Sequence, residues 1–185
     1  MIRAALEIQT PLTPEILRSL KAGDAVRLSG TVYTARDAAH RRLVRMIMEG
    51  EPLPFPPAGQ VIYYTGPCPA KPGGIIGPAG PTTSARMDPY TPILLAHGIA
   101  GMIGKGARSL AVVDAIREAG AVYLAAIGGA AALLAGCVLS QEVIAFEDLG
   151  TEAIRKLEVK DMPLFVAIDS RGNDMYEKGR QAYRR

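Results

Sequence analysis

GPCPAKPGGIIGPAGPTTSARMDPYTPILLAHGIAGMIGK, residues 66 to 105, holds most of the glycine, proline and hydroxyl chemistry of this 185-residue chain. In its first part Gly66, Gly73, Gly74, Gly77 and Gly80 are interspersed with Pro67, Pro69, Pro72, Pro78 and Pro81. Proline removes a backbone donor and glycine costs conformational entropy in any regular element, so this part can be neither helix nor central strand. It reads as a long loop. Loops of such length are functional or disordered, and apolar Ile75 and Ile76 stand where a disordered linker would carry charge. The reading is therefore an ordered loop that forms a site.

Outward from it, the chain alternates helix and strand signals. Arg3 to Ile8 reads as a first strand, and Thr13-Pro14 as the cap and first residue of a short helix that Gly23-Asp24 ends. Val26, Leu28 and Val32 alternate with Arg27, Ser29 and Thr31, which predicts a half-buried strand over 25–34 with Gly30 as a bulge. Helical spacing of Ala39, Leu43, Met46 and Ile47 predicts a helix over 35–49, stopped by Gly50. A short strand over 60–65 then feeds the loop. Asp88-Pro89 suggests the cap of a helix running toward His97, and Gly98, Gly101, Gly104 and Gly106 suggest a second loop. Beyond it the pattern gives a helix over 107–119, a strand over 121–125, and an alanine-rich helix opened by Gly128-Gly129 and closed by Gly136. Strands over 138–146, 154–159 and 164–168, a turn at 171–173 and a charged terminal helix complete it. Strands that first alternate with helices and later adjoin one another argue for a mixed α/β layer architecture.

Composition narrows the function. With 49% hydrophobic residues the chain can bury a core as one domain over residues 1–185. Its net charge is only +3 and no basic tract is interleaved with aromatics, which argues against a nucleic-acid partner. The uncharged run between Glu118 and Glu142 is long enough to cross a bilayer, but glycines break it and acids flank it. It is expected to form a buried strand, a turn and a short buried helix, with no membrane contact. MIRAALEI lacks a signal-peptide pattern, so a cytoplasmic location is expected. Cys68 and Cys137 are too few and too far apart for a disulfide framework or a self-contained metal site.

Several residues are suited to chemistry. Thr82, Thr83 and Ser84 are followed closely by Arg86, and hydroxyls, backbone donors and a planar cation together suit a carboxylate or phosphate. A surface turn with a solvated arginine fits the same residues. Lys105 lies between two glycines that let a ligand approach the backbone, although such a lysine can simply be exposed. Arg36 falls between a strand end and a helix start, where a cation opposes the helix dipole unless an anion joins it. His40 and His97 lack neighbours at metal-ligand spacing and are read as packing or capping residues. Asp37 and Asp88 each lie near an arginine in sequence, which suggests local pairing.

The strings GPTTSARMDPYTP (80–92), TARDAAH (34–40), GKG (104–106), IGGAAALL (127–134) and EAIRKLEVKDMPLFVAIDSRGND (152–174) occur in one order over most of the chain. Together they closely resemble the β subunit, or C-terminal β region, of the iron-sulfur class I fumarase and L(+)-tartrate dehydratase hydro-lyases. The resemblance implies a three-layer swivelling β/β/α domain with mixed sheets. It also implies a partner α subunit holding a [4Fe–4S] cluster, with no metal on this chain, in a homodimer or α2β2 assembly. Carried over, it makes Arg36, Arg86, Lys105 and Thr83 binding residues for a dicarboxylate and Thr82 the catalytic base. The substrate it implies is fumarate and malate, with tartrate or mesaconate as the near alternative. A non-catalytic phosphate or nucleotide module, and a purely structural interaction domain, remain the readings from other classes.

Overall fold

The computed structural model describes residues 4–182. Strand β1 (Leu6–Gln9) is followed by α1 (Pro14–Ser19), whose first turn is closed by the Thr13 hydroxyl accepting from the Ile16 amide at 3.4 Å. The start of the first predicted strand, at Arg3, lies outside the described residues. The amphipathic run over 25–34 forms β2 (Ala25–Thr34), and α2 (Asp37–Glu49) leaves directly from its end, stopping at Gly50 in the left-handed region. Then come β3 (Val61–Tyr63), α3 (Thr91–Ala96), β4 (Gly101–Gly104), α4 (Leu110–Ala119) and β5 (Val122–Ala125). β2, β3, β4 and β5 are parallel neighbours in that order, with β1 parallel to β2. Crossovers through α2, α3 and α4 put the carboxyl ends of four strands on one edge.

After α5 (Ala131–Gly136), β6 (Val138–Ala145) leads into β7 (Ile154–Ile168). β7 runs antiparallel to β2, β5 and β6, so the sheet curls back from β5 onto β2. This gives three layers. Val61, Tyr63, Ile103, Val122 and Leu124 face inward, onto Leu157, Val159, Leu164 and Val166 of β7. The alternate residues Ile62, Tyr64, Met102 and Tyr123 face outward and bury Ala39, Leu43, Leu94, Val112 and Ile116 of the helices. The fold is thus the mixed α/β, β/β/α arrangement expected. Among the described residues no helix is long and apolar enough to cross a membrane.

The structure corrects four local expectations. Gly101–Gly104 is a fully buried central strand and no loop. Its glycines answer close approach: a Cβ on residue 104 would lie 2.0 Å from Ser84 Oγ and 3.0 Å from a ring carbon of Tyr64. The strands predicted over 154–159 and 164–168 are one, because the break between them is a bulge. Lys160 and Asp161 together oppose Ser29, and Asp161 takes a φ of 52°. Asp88 does not cap α3, which begins at Thr91 after a 3-10 turn over Ser84–Met87. The alanine-rich helix α5 is also less buried than expected, since Leu134 is buried while Leu133 is 59% exposed.

Candidate active site

The shared edge of the parallel strands collects the chemistry-bearing residues. Register aligns Thr34 with Tyr63, Tyr63 with Ile103, and Ile103 with Leu124, so Arg36, Thr65 and Lys105 emerge side by side just past their strands. Residues 80–86 lie across this edge as an added piece of backbone. The Thr65 hydroxyl donates to Gly80 O at 2.8 Å and the Thr82 amide to Tyr64 O at 2.6 Å. The Ser84 amide donates to Lys105 O at 2.9 Å and the Lys105 amide to Thr82 O at 3.3 Å, so Thr83 and Lys105 pair as neighbouring strands do. The glycine-proline segment is therefore fixed exactly where its hydroxyls begin.

Two arginines meet there around a shared acid. Arg36 is the N-cap residue of α2 and Asp37 its first helical residue. Arg86, from the 3-10 turn, donates through Nε to Asp37 Oδ1 at 2.9 Å, while Arg36 Nη2 lies 3.9 Å from Asp37 Oδ2 and 3.4 Å from Glu152 Oε1. Glu152 also accepts from the Ala38 amide at 3.0 Å, which satisfies one of the free donors at the start of α2. Gly66 makes room for this cluster, since a Cβ there would sit 3.0 Å from Arg36 Nη1. Arg36 Nε is buried without a hydrogen-bond partner, so the cluster keeps unused donor capacity. Arg86 is half exposed and Lys105 is exposed. Three cations against two carboxylates leave this edge positive, which suits an anionic ligand.

Thr82 is partly buried and Thr83 exposed, and among the described residues neither hydroxyl has a protein partner. All five residues singled out from the sequence thus come together. Asp37 pairs with its neighbour Arg36 and also with the sequence-distant Arg86. Asp88 departs from the local pairing expected: it accepts from Arg108 Nε and from the Ser109 amide, each at 2.7 Å. His40 is wholly buried, donates from Nδ1 to Arg36 O at 2.9 Å, and packs edge-on to Tyr64. Burial pushes its pKa down to about 4, and the Arg108 charge adds to this. His97 donates to Ile93 O at the end of α3, a capping role as expected.

Glu152 was not legible as a site residue. Glu152 arrives from the turn before β7, and no spacing in the sequence ties it to Arg36. Among the described residues no group of three or more His, Cys, Asp or Glu side chains could hold a metal ion, and Cys68 is exposed while Cys137 is partly buried.

Residues 2–179 match the family described as Fumarase C-terminus, and the chain belongs to that family. It is 43% identical over 164 residues to fumarate hydratase 2 of Leishmania major, covering 88% of this chain and 29% of that protein. It is likewise 43% identical over 153 residues to the aerobic class I fumarate hydratase of Escherichia coli K12, covering 82% of this chain and 28% of the relative. The chain therefore spans roughly three tenths of these fumarate hydratases. A putative L(+)-tartrate dehydratase subunit beta from Methanocaldococcus jannaschii is 41% identical over 173 residues, and there the match covers 90% of this chain and 89% of the relative. These relatives are hydro-lyases or subunits of them.

Proposed function

We propose that this chain is the β half of a two-chain hydro-lyase that reversibly adds water to fumarate to give (S)-malate. The observation that carries the reading is the convergence of Arg36, Arg86, Lys105, Thr82 and Thr83 on one strand edge. A dicarboxylate needs cations at both ends, and hydration of its double bond needs a group that gives or takes a proton at carbon. Arg36 and Arg86 bind one carboxylate, with Asp37 holding the two guanidinium groups in place, and Lys105 binds the other. Thr82 exchanges the proton at carbon while Thr83 holds the substrate. The greater exposure of Thr83 supports a second assignment in which the two threonines trade roles.

A threonine hydroxyl is too weak an acid to work alone, so a second group must take its proton. Asp88 is tied to Arg108 and Asp37 lies between two arginines, so both carboxylates are already engaged by cations. By the family resemblance the acceptor belongs to the partner. So does the [4Fe–4S] cluster implied by the resemblance, because two cysteines, with no metal-binding group among the described residues, do not fit one. When bound on the α subunit, the cluster would supply a Lewis acid. The assembly is a homodimer or an α2β2 complex.

The 41% identity to a relative named as a tartrate dehydratase subunit beta supports the two-chain organisation and keeps L(+)-tartrate, and by the same carboxylates mesaconate, as the alternative substrate. The test is anaerobic co-expression with the cysteine-bearing partner, following fumarate, tartrate and mesaconate in parallel. Turnover only when both chains are present is expected. No turnover from a cluster-loaded complex would sink the reading in favour of a phosphate-binding module.

A further inference from the structure

The two segments that carry the site are fastened from beneath by one phenol. Tyr123, on β5, is wholly buried, and its hydroxyl donates to Gly106 O at 2.9 Å, one residue past Lys105. It accepts from Ser84 Oγ, also at 2.9 Å, one residue past Thr83. With the proton of Tyr123 committed to the carbonyl, Ser84 must be the donor, so the relay runs one way, from Ser84 through Tyr123 to Gly106.

The surroundings hold that hydroxyl still. The Arg108 guanidinium lies 5.0 Å from the Tyr123 ring centroid and 5.4 Å from that of Tyr64, and it is anchored by Asp88 and by the Thr91 hydroxyl at 2.8 Å. Burial also pushes the Tyr123 phenol above its ordinary range, so it remains a donor. On the other side, the Gly106 amide donates to Tyr176 Oη at 3.1 Å. Ser84 Oγ fills the slot left by the missing side chain of Gly104. A buried phenol and a buried serine are costly where phenylalanine and alanine would fill the same space. What the pair gains is a link between two loops.

We propose that Tyr123 is a positioning residue that, with Ser84 as its contact, sets the spacing between the Thr82–Thr83 hydroxyls and the Lys105 ammonium. The effect on turnover rests on the hydro-lyase reading, whereas the effect on the two loops does not.

The test uses Tyr123→Phe, which keeps the ring beside Arg108, and the milder Ser84→Ala, which decides the matter if the first fails to fold. Amide exchange is read on the full chain. The Ser84 and Lys105 amides, which bond across the two segments, should exchange about tenfold faster in both variants while β2 and β7 amides keep wild-type rates. In the assembled enzyme Tyr123→Phe should lower kcat at least about tenfold and raise KM, because it frees both segments; Ser84→Ala should lower kcat with KM near wild type. Unchanged exchange at both amides, faster exchange with unchanged kcat, or faster exchange spread over all strands would each overturn the proposal. If wild-type enzyme turns over none of the three dicarboxylates, the hydro-lyase reading fails, and the exchange data still decide whether Tyr123 fastens the loops.

Discussion

Residues 67–78 and residues 79–88 share a composition of proline, glycine and small side chains, yet the fold treats them oppositely. The first half is mostly exposed and bonds chiefly to itself, through Cys68 to Pro78, Gly77 to Cys68 and Gly74 to Lys71. The second half is bonded to the sheet, with Ala79, Ser84 and Met87 fully buried. Chemistry follows that division. Thr82, Thr83 and Arg86 lie on the part that the sheet holds rigid, where a hydroxyl can be kept within reach of a reacting carbon. Composition announces a loop in both halves; only contact with β3 and β4 distinguishes the half that can work.

The contrast can be broken most severely at Gly104. Gly104→Ala drives a methyl into Ser84 and Tyr64, and should cost about 2 to 3 kcal/mol of stability together with at least about a hundredfold in kcat/KM. Thermal melts and steady-state kinetics on the same preparation check both parts. Next come the hydroxyls. Replacing the threonine that exchanges the proton by valine should lower kcat about a hundredfold with little loss of stability, and replacing the other should act mainly on KM. Comparing Thr82→Val with Thr83→Val assigns the two roles.

A comparable effect, on stability alone, is expected from pH. His40 titrates near 4 when folded and near 6.5 when unfolded, so between these values the unfolded chain binds the extra proton. Stability is fully present above about 6.5 and should fall by up to about 3 kcal/mol as pH drops toward 4. Denaturant melts across that window check it; a His40→Gln variant should show a flatter slope. The smallest effect belongs to the open half. Ile75 is 48% exposed, and Ile75→Ser should change the stability of the isolated chain by less than about 0.5 kcal/mol.

Much of this was legible in the sequence. The alternation of Val26, Leu28 and Val32, the helical spacing up to Ile47, and the pairing of Thr13 with Pro14 each placed an element correctly, because local periodicity and capping chemistry decide them. Other elements were settled by tertiary contact. β4 hides behind Gly101 and Gly104, whose missing side chains serve neighbours that sequence order does not reveal. β7 survives Asp161 and Pro163 because the Lys160 and Asp161 amides find Cys137 O at 2.8 Å and Ser29 Oγ at 3.0 Å. The cationic residues of the proposed site stand out in the sequence by their glycine-rich and strand-end settings. Asp37 as their common partner, Glu152 beside Arg36, and Tyr123 beneath the loops depend on segments brought together from far along the chain or across the sheet.

The central claim is that Arg36 and Arg86 neutralise a carboxylate in the transition state. Its most direct test is kcat/KM for Arg36→Ala and Arg86→Ala in the assembled enzyme. Each should lose about 3 kcal/mol of transition-state stabilisation, a factor on the order of a hundred. Near-normal kcat/KM for Arg86→Ala, with the variant folded and joined to its partner, would contradict the account.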